Sequence, residues 1–166
     1  TLNYAYPIVV GYKNNVGVGY RFNFKDPFSF RELDFSISYT PNEWKNGLIE
    51  GDRELDKDEQ IHSSINYSAV RLGGFLSGNY NIFASYNKAN FYDLFGPTQR
   101  SRKGVSFGFD YSNSIIYDPP SILDVNLGFT GYYGLDQSPE FQQINFSKDE
   151  FNTNLFYDVK ASLSFS

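Results

Sequence analysis

The chain has one histidine, His62, and no cysteine. Catalysis through His62 would need a hydroxyl within hydrogen-bond reach and a carboxylate to orient the ring. His62 opens a strand-like stretch beside a charged segment, and nothing near it in sequence supplies those partners. It reads as a surface histidine, and the chain as a non-enzyme. The acidic run Gly51-Asp52-Arg53-Glu54-Leu55-Asp56-Lys57-Asp58-Glu59 offers oxygen ligands of the kind Ca²⁺ takes, but it lacks the ligand spacing and mid-loop glycine of a calcium loop. It reads as a solvated external loop, with Trp44, Leu48 and Ile49 available to fold it over or to meet a partner. No metal or cofactor is expected. Arg100, Arg102 and Lys103 cluster at the end of a second polar segment, where they could pair with lipopolysaccharide phosphates or with acidic loop groups. Gly17-Val18-Gly19 lies inside a strand pattern, whereas a phosphate loop needs a strand-to-helix turn. Asn66-Tyr67-Ser68 and Asn145-Phe146-Ser147 match the glycosylation pattern only weakly.

Composition narrows the class further. The chain has 166 residues, enough for one domain, and a mean hydropathy of −0.45. It has no apolar run of the length a transmembrane helix requires. A barrel strand presents only every second residue to lipid, so low hydropathy is compatible with a membrane wall. The 17 Phe and 14 Tyr make the chain 19% aromatic once Trp44 is added. Such a content suits a belt at a bilayer boundary, where a Tyr ring meets acyl chains and its hydroxyl meets headgroups. An aromatic-rich soluble β-sandwich is the plainer alternative. The formal charge of −5, without a basic stripe, argues against nucleic acid as a partner. Without Cys there is no disulfide framework and no thiolate metal site. No signal peptide is visible and the chain does not begin with Met, so it is expected to be a mature protein or an excised piece.

Residues alternate with a period of two along most of the chain. Val16, Val18, Tyr20, Phe22 and Phe24 oppose Gly17, Gly19, Arg21, Asn23 and Lys25. Leu33, Phe35, Ile37 and Tyr39 oppose Glu32, Asp34, Ser36 and Ser38. Leu155, Tyr157, Val159, Ala161, Leu163 and Phe165 oppose Asn154, Asp158, Lys160, Ser162 and Ser164. Tyr4, Tyr6, Ile8, Val10 and Tyr12 mark a first strand, Tyr80 to Tyr86 a fifth, and Val105, Phe107, Phe109, Tyr111, Ile115 and Tyr117 a sixth. Leu123, Val125, Leu127 and Phe129 mark a seventh. A fourth, around Ile65 and Tyr67, slips near Val70-Arg71-Leu72, as at a bulge or a strand end. The pattern predicts an all-β, antiparallel up-and-down transmembrane β-barrel with about eight strands, in a single domain over 1–166.

The connections sort by length. After a first hairpin at Lys13-Asn14-Asn15, tight turns at Asp26-Pro27-Phe28-Ser29, Gly73-Gly74 and Asp118-Pro119-Pro120-Ser121 alternate with long polar loops at 42–60, 88–103 and 134–150. Pro presets the turn backbone, and Asp and Ser cap it. Outer-membrane barrels keep short turns on the periplasmic side and long loops outside, so both termini are expected to face the periplasm.

The polar face, with Arg21, Lys25, Glu32, Asp34, Asp110, Asp124, Asp158 and Lys160, is expected to line the lumen. The greasy face, with Val16, Val18, Tyr20, Phe22, Phe24, Leu33, Phe35, Ile37, Tyr39, Phe107, Phe109, Val125, Leu127, Leu155, Tyr157, Val159 and Leu163, is expected to meet lipid. It carries no charge in its clean stretches, and a Lys or Arg at the bilayer midplane would cost about 2–4 kcal/mol.

The segment Asn90-Phe91-Tyr92-Asp93-Leu94-Phe95-Gly96-Pro97-Thr98-Gln99-Arg100-Ser101-Arg102-Lys103-Gly104 resembles a loop-and-strand signature of Bacteroidetes-type outer-membrane barrels. These belong to the bacterial surface antigen, or BamA-like, group and are often fused to a periplasmic β-propeller. Tyr132-Tyr133-Gly134-Leu135-Asp136, followed by Pro139-Glu140, is similar to it too. The resemblance implies a Gram-negative outer-membrane barrel of about sixteen strands with a role in inserting or exporting proteins. The chain departs from that group in having no periplasmic transport-associated domain and no Arg-Gly-Phe/Tyr lid motif, Val70-Arg71-Leu72-Gly73-Gly74 not matching it, so no functional residue transfers. Phe165 is followed by Ser166, whereas many complete barrels end on an aromatic, which favours a wall segment of a larger barrel. The leading expectation is a non-enzymatic membrane anchor or conduit, with membrane lipids, lipopolysaccharide and other envelope proteins as partners. The alternatives are a small closed eight-stranded barrel with structural or adhesive loops, and a soluble β-barrel that binds a lipid with its greasy face turned inward.

Overall fold

The computed structural model describes residues 1–12, 15–42, 55–74, 77–88, 90–91, 103–118, 121–134 and 155–165. Runs in which β-branched and aromatic residues occupy every second position favour a pleated surface buried or covered on one side. Such runs build one sheet from β1 (Leu2–Tyr12), β2 (Asn15–Lys25), β3 (Arg31–Tyr39), β4 (Ile61–Arg71), β5 (Gly78–Tyr86), β7 (Val105–Asp118), β8 (Ser121–Tyr133) and β9 (Leu155–Phe165). A two-residue strand, β6 (Asn90–Phe91), joins its edge, and a single 3₁₀ turn spans Lys57–Glu59. Neighbours along the sheet run β6-β1-β2-β3-β4-β5-β7-β8-β9, and all pairings are antiparallel.

The short turns gather at one end of this meander. Asp26 accepts the Phe30 amide on Oδ1 at 2.9 Å and the Ser29 amide on its carbonyl at 3.0 Å. Gly73 and Gly74 both take positive φ, at 76° and 86°, in the turn after β4. The 13–14 hairpin and the three long loops leave from the opposite end.

Register assigns each residue to a face. Tyr6 opposes Arg21, which opposes Ser36, then Ser64, Ser85, Ser106, Tyr132 and Phe156 across the sheet. That polar face is concave. Tyr12 on β1 packs its ring against His62 on β4 with centroids 4.3 Å apart, although β2 and β3 lie between them. A Cβ at Gly17 would collide with Thr40 Oγ1 and the Tyr39 carbonyl, and one at Gly19 with Ile37 and Ser38. Only bare backbone at both positions lets the sheet curl this tightly, which brings Ile8 and Val10 into burial.

Two expectations change, for closure and for β7, and two points left open, the faces of β1 and the end of β4, are resolved. Among the described residues the sheet is not closed into a barrel: β9 pairs only with β8, and the outer edge of β1 pairs only with β6, at Val10 and Gly11. Tyr4, Tyr6, Ile8, Val10 and Tyr12 share the concave, polar side of β2, so the convex face of β1 is Ala5, Pro7, Val9 and Gly11. In β7 the register shifts between Ser114 and Ile116, so Ile116 pairs in phase with Leu123, while Tyr117 pairs with Ile122 in the opposite phase to Val105 and Phe107. The slip near Val70-Arg71-Leu72 is a strand end, because β4 pairs without interruption to Arg71.

Candidate functional site

The two faces offer different chemistry. On the concave side, Arg21 Nε donates to both carboxylate oxygens of Asp34, at 2.8 and 3.0 Å. Asn23, fully buried, donates to Glu32 Oε1 at 2.7 Å and accepts from Asn3 at 3.0 Å. Lys25 lies 3.7 Å from Glu32, and Lys160 lies 3.4 Å from Asp158. Hydroxyl pairs Ser36–Ser64 and Ser85–Ser106, each at 2.6 Å, and Ser114–Asp124 at 2.5 Å continue the pattern. These contacts join neighbouring strands or residues of one strand. They run along the wall and leave a trough of about 680 Å³, to which β1 contributes Ile8 and Val10, β7 contributes Asp110, and β9 contributes Asp158 and Lys160. The register puts all eight polar residues singled out from the sequence, Asp110 and Asp124 included, on this face.

The convex face gathers the greasy set. Val18, Tyr20, Phe22 and Phe24 pair in register with Tyr39, Ile37, Phe35 and Leu33, Val16 continues their face opposite Gly11, and Phe107, Phe109, Val125 and Leu127 align with Leu155 to Leu163. Its side chains are open to the surroundings: Tyr20 is 53% exposed, Ile82 51%, and Tyr157 72%. Tyr80 pairs with Tyr111 at one end of this face, and Tyr86, Val105 and Tyr133 align at the other. Strands of 9 to 14 residues, β6 apart, match the length of a tilted transmembrane strand.

A third cluster lies where the long loops leave the sheet. His62 is buried, which corrects its reading as a surface residue. Its Nδ1 faces the Asn87 carbonyl at 2.8 Å, so Nδ1 carries the proton, and Nε2 accepts from Thr40 Oγ1 at 2.8 Å. With both nitrogens engaged, the ring is a structural strut with no free lone pair for a general base. Asn87 stands in the left-handed region at φ 46°, which Asn tolerates better than most residues. Its Nδ2 donates to the carbonyls of Asp58 at 2.6 Å and Ile61 at 3.1 Å, and its Oδ1 accepts the Gly104 amide at 3.0 Å. Asn42 clamps Leu55 at both its amide and its carbonyl.

Lys103 closes the same end. Its ammonium lies 2.9 Å from Asp58, 3.7 Å from Asp56 and 3.8 Å from Glu59. The bond to Asp58 raises its pKa above the ordinary 10.5, against the opposing effect of partial burial. Acidic loop groups are thus what Lys103 meets. Glu59 is 1% exposed and accepts the Asp56 amide, so Leu55 and Glu59 are packed where a solvated loop was expected, while Asp56, Lys57 and Asp58 are exposed. Arg100, Arg102, Trp44, Leu48, Ile49 and residues 51–54 lie outside the described residues, as does Asn145. Among the described residues, no group of three or more His, Cys, Asp or Glu is placed to hold a metal ion. Sequence reasoning missed Thr40, Asn42 and Asn87. The one available signal was an Asn directly after a strand-ending Tyr at 86–87.

Comparison with protein-family models, curated proteins and solved structures found no match to this chain.

Proposed function

We propose that this chain is a wall of an outer-membrane β-barrel, a non-enzymatic membrane anchor or conduit whose polar concave face lines the interior and whose greasy convex face meets lipid. The carrying observation is the convex face. It runs over eight adjacent long strands with exposed Val9, Val18, Ile37, Ile65, Ile82, Phe107, Leu127 and Leu163. A water-soluble monomer rarely exposes a contiguous apolar patch beyond about 300–600 Å². A soluble barrel for an apolar ligand would need these side chains turned inward, where Arg21, Asp34 and Lys160 stand instead. The open edges of β1 and β9 favour a segment of a larger barrel, since free edges in water recruit further strands. The resemblance of 90–104 to bacterial surface antigen barrels favours a conduit used in outer-membrane protein assembly or export.

A small closed barrel has one observation in its favour: side chains of β1 and β9 line the same trough. Expression without detergent tests the membrane reading, and a well-behaved monomer in water would refute it. If detergent is required, heat-modifiable mobility of the isolated chain is the mark of self-closure, and its absence is expected for a wall segment.

A further inference from the structure

The convex face carries cations at one level. Arg31 opens β3 directly opposite Ala69 of β4, and Arg71 is two residues beyond Ala69 on the same side of the pleat. Diagonal neighbours of this kind have side chains about 7–8 Å apart, within reach of long residues. Both arginines are exposed, and neither side chain makes a hydrogen bond or ion pair with the described residues. They sit at the short-turn end. One step toward the sheet centre comes Tyr67, opposite Leu33, and level with Arg31 and Ala69 stand the adjacent rings of Tyr80 and Tyr111, with centroids 5.0 Å apart. One step outward come Phe28, stacked on Phe30, and Leu72, which are 78%, 40% and 72% exposed. An unpaired guanidinium pair next to an aromatic row on an apolar face is complementary to a planar array of phosphates. Aromatic rings prefer the boundary between acyl chains and headgroups, and long cationic side chains reach from there to the headgroups.

We infer that Arg31 and Arg71 form a docking surface for phospholipid headgroup phosphates at the short-turn end, fixing the depth at which the wall sits in the bilayer. This rests on the membrane reading above and adds to it the leaflet, the ligand chemistry and the residues. It differs from the lipopolysaccharide contact expected of Arg100, Arg102 and Lys103; of these Lys103 stands at the opposite end, against Asp56, Asp58 and Glu59.

The test uses the full-length protein folded into vesicles of phosphatidylcholine alone and of phosphatidylcholine with phosphatidylglycerol in equal parts. The ratio of folded to unfolded protein is read at fixed urea. At about fivefold per arginine near an anionic surface, Arg31→Gln/Arg71→Gln should lose roughly thirtyfold of the gain that phosphatidylglycerol gives. Arg31→Lys/Arg71→Lys should keep most of the gain. Lys25→Gln, which removes an equal charge at the same end from the concave face, should keep all of it. If the double glutamine variant does not fold, the single variants carry the same test at about fivefold each. Insertion with the gain intact in the glutamine variant, or lost equally in Lys25→Gln, overturns the docking surface and leaves the membrane wall standing. A protein that enters neither vesicle and stays monomeric in water overturns both.

Discussion

Replacing Asn87 tests whether the loop roots are tied by the contacts described. Asn87→Ala removes two donated hydrogen bonds and one accepted bond. The Asp58 carbonyl keeps the Tyr86 hydroxyl at 3.0 Å, but the Gly104 amide and the Ile61 carbonyl lose this side chain. A lost hydrogen bond with a buried partner left behind costs about 1–3 kcal/mol. Placing Ala in the left-handed region adds about 1 kcal/mol that Asn largely avoids. The expected loss is therefore about 3–7 kcal/mol, a large share of an ordinary domain's stability. Asn87→Gly relieves the backbone penalty but not the lost bonds, so it should sit about 1 kcal/mol above the Ala variant. Urea unfolding from detergent micelles reads the stability. Trypsin cleavage after Lys57 and Lys103 reads the release of the loops, and it should speed up in both variants. An Ala variant within about 1 kcal/mol of the parent, with unchanged cleavage, would refute the tie. A Gly variant no more stable than Ala would refute the backbone part of the reasoning alone.

Further outcomes follow from the faces and the rim. Ile82→Lys on the convex face should cost about 2–4 kcal/mol in vesicles, whereas Ser85→Lys on the concave face should cost far less; equal costs in urea titrations would argue against a lipid-facing convex side. Lys103 has its folded pKa raised above 10.5, so its tie to Asp56, Asp58 and Glu59 is fully present below that value and is lost as pH rises through the folded pKa. The urea unfolding midpoint should therefore fall above about pH 10.5, and Lys103→Gln should flatten that fall in the same titration. Gly17→Val should open the Tyr12–His62 contact and cost about 1–3 kcal/mol by overpacking, read as a lower unfolding midpoint; no shift would mean that the curl does not depend on bare backbone there.

The faces of β2, β3 and β9 were legible because charge and bulk alternate there with a period of two, and a register error of one residue would reverse every side chain. β1 was not legible in the same way, because both of its sides are apolar. Its even residues pass for an outer face until pairing sets Ile8 against Gly19 and Val10 against Gly17. The bulge in β7 hid behind Ile115 and Ile116, either of which continues an apolar pattern. The rim was hidden for another reason. Thr40, His62 and Asn87 belong to separate stretches of chain, and only the pairing of β3, β4 and β5 brings them within hydrogen-bond reach, while Lys103 comes from a fourth stretch to meet Asp58. A lone histidine beside charged residues gives no sign of the Tyr12 ring that covers it.

Curvature is unevenly distributed over the sheet, and this bears on closure. From β1 to β5 the concave face is drawn together by Tyr12 on His62, by the Tyr4 hydroxyl reaching Asp34 across β2 at 3.3 Å, and by the bare backbone of Gly17 and Gly19. β9, by contrast, is exposed along both faces, with Val159 at 66% and Leu163 at 74%. Closing eight strands on themselves would require β9 to pair with the free edge of β1. Val10 and Gly11 of that edge are already paired with Asn90 and Phe91. An 11-residue β9 would then find only the lower part of β1 open, or would have to displace β6. Pairing with strands beyond this wall requires neither, and it leaves the tied loop roots at the β1 edge undisturbed. A larger barrel is therefore the reading the edges favour. Under it, cysteines at the β9 edge should crosslink to a strand other than β1, and efficient crosslinking of Val159→Cys to Pro7→Cys would refute it.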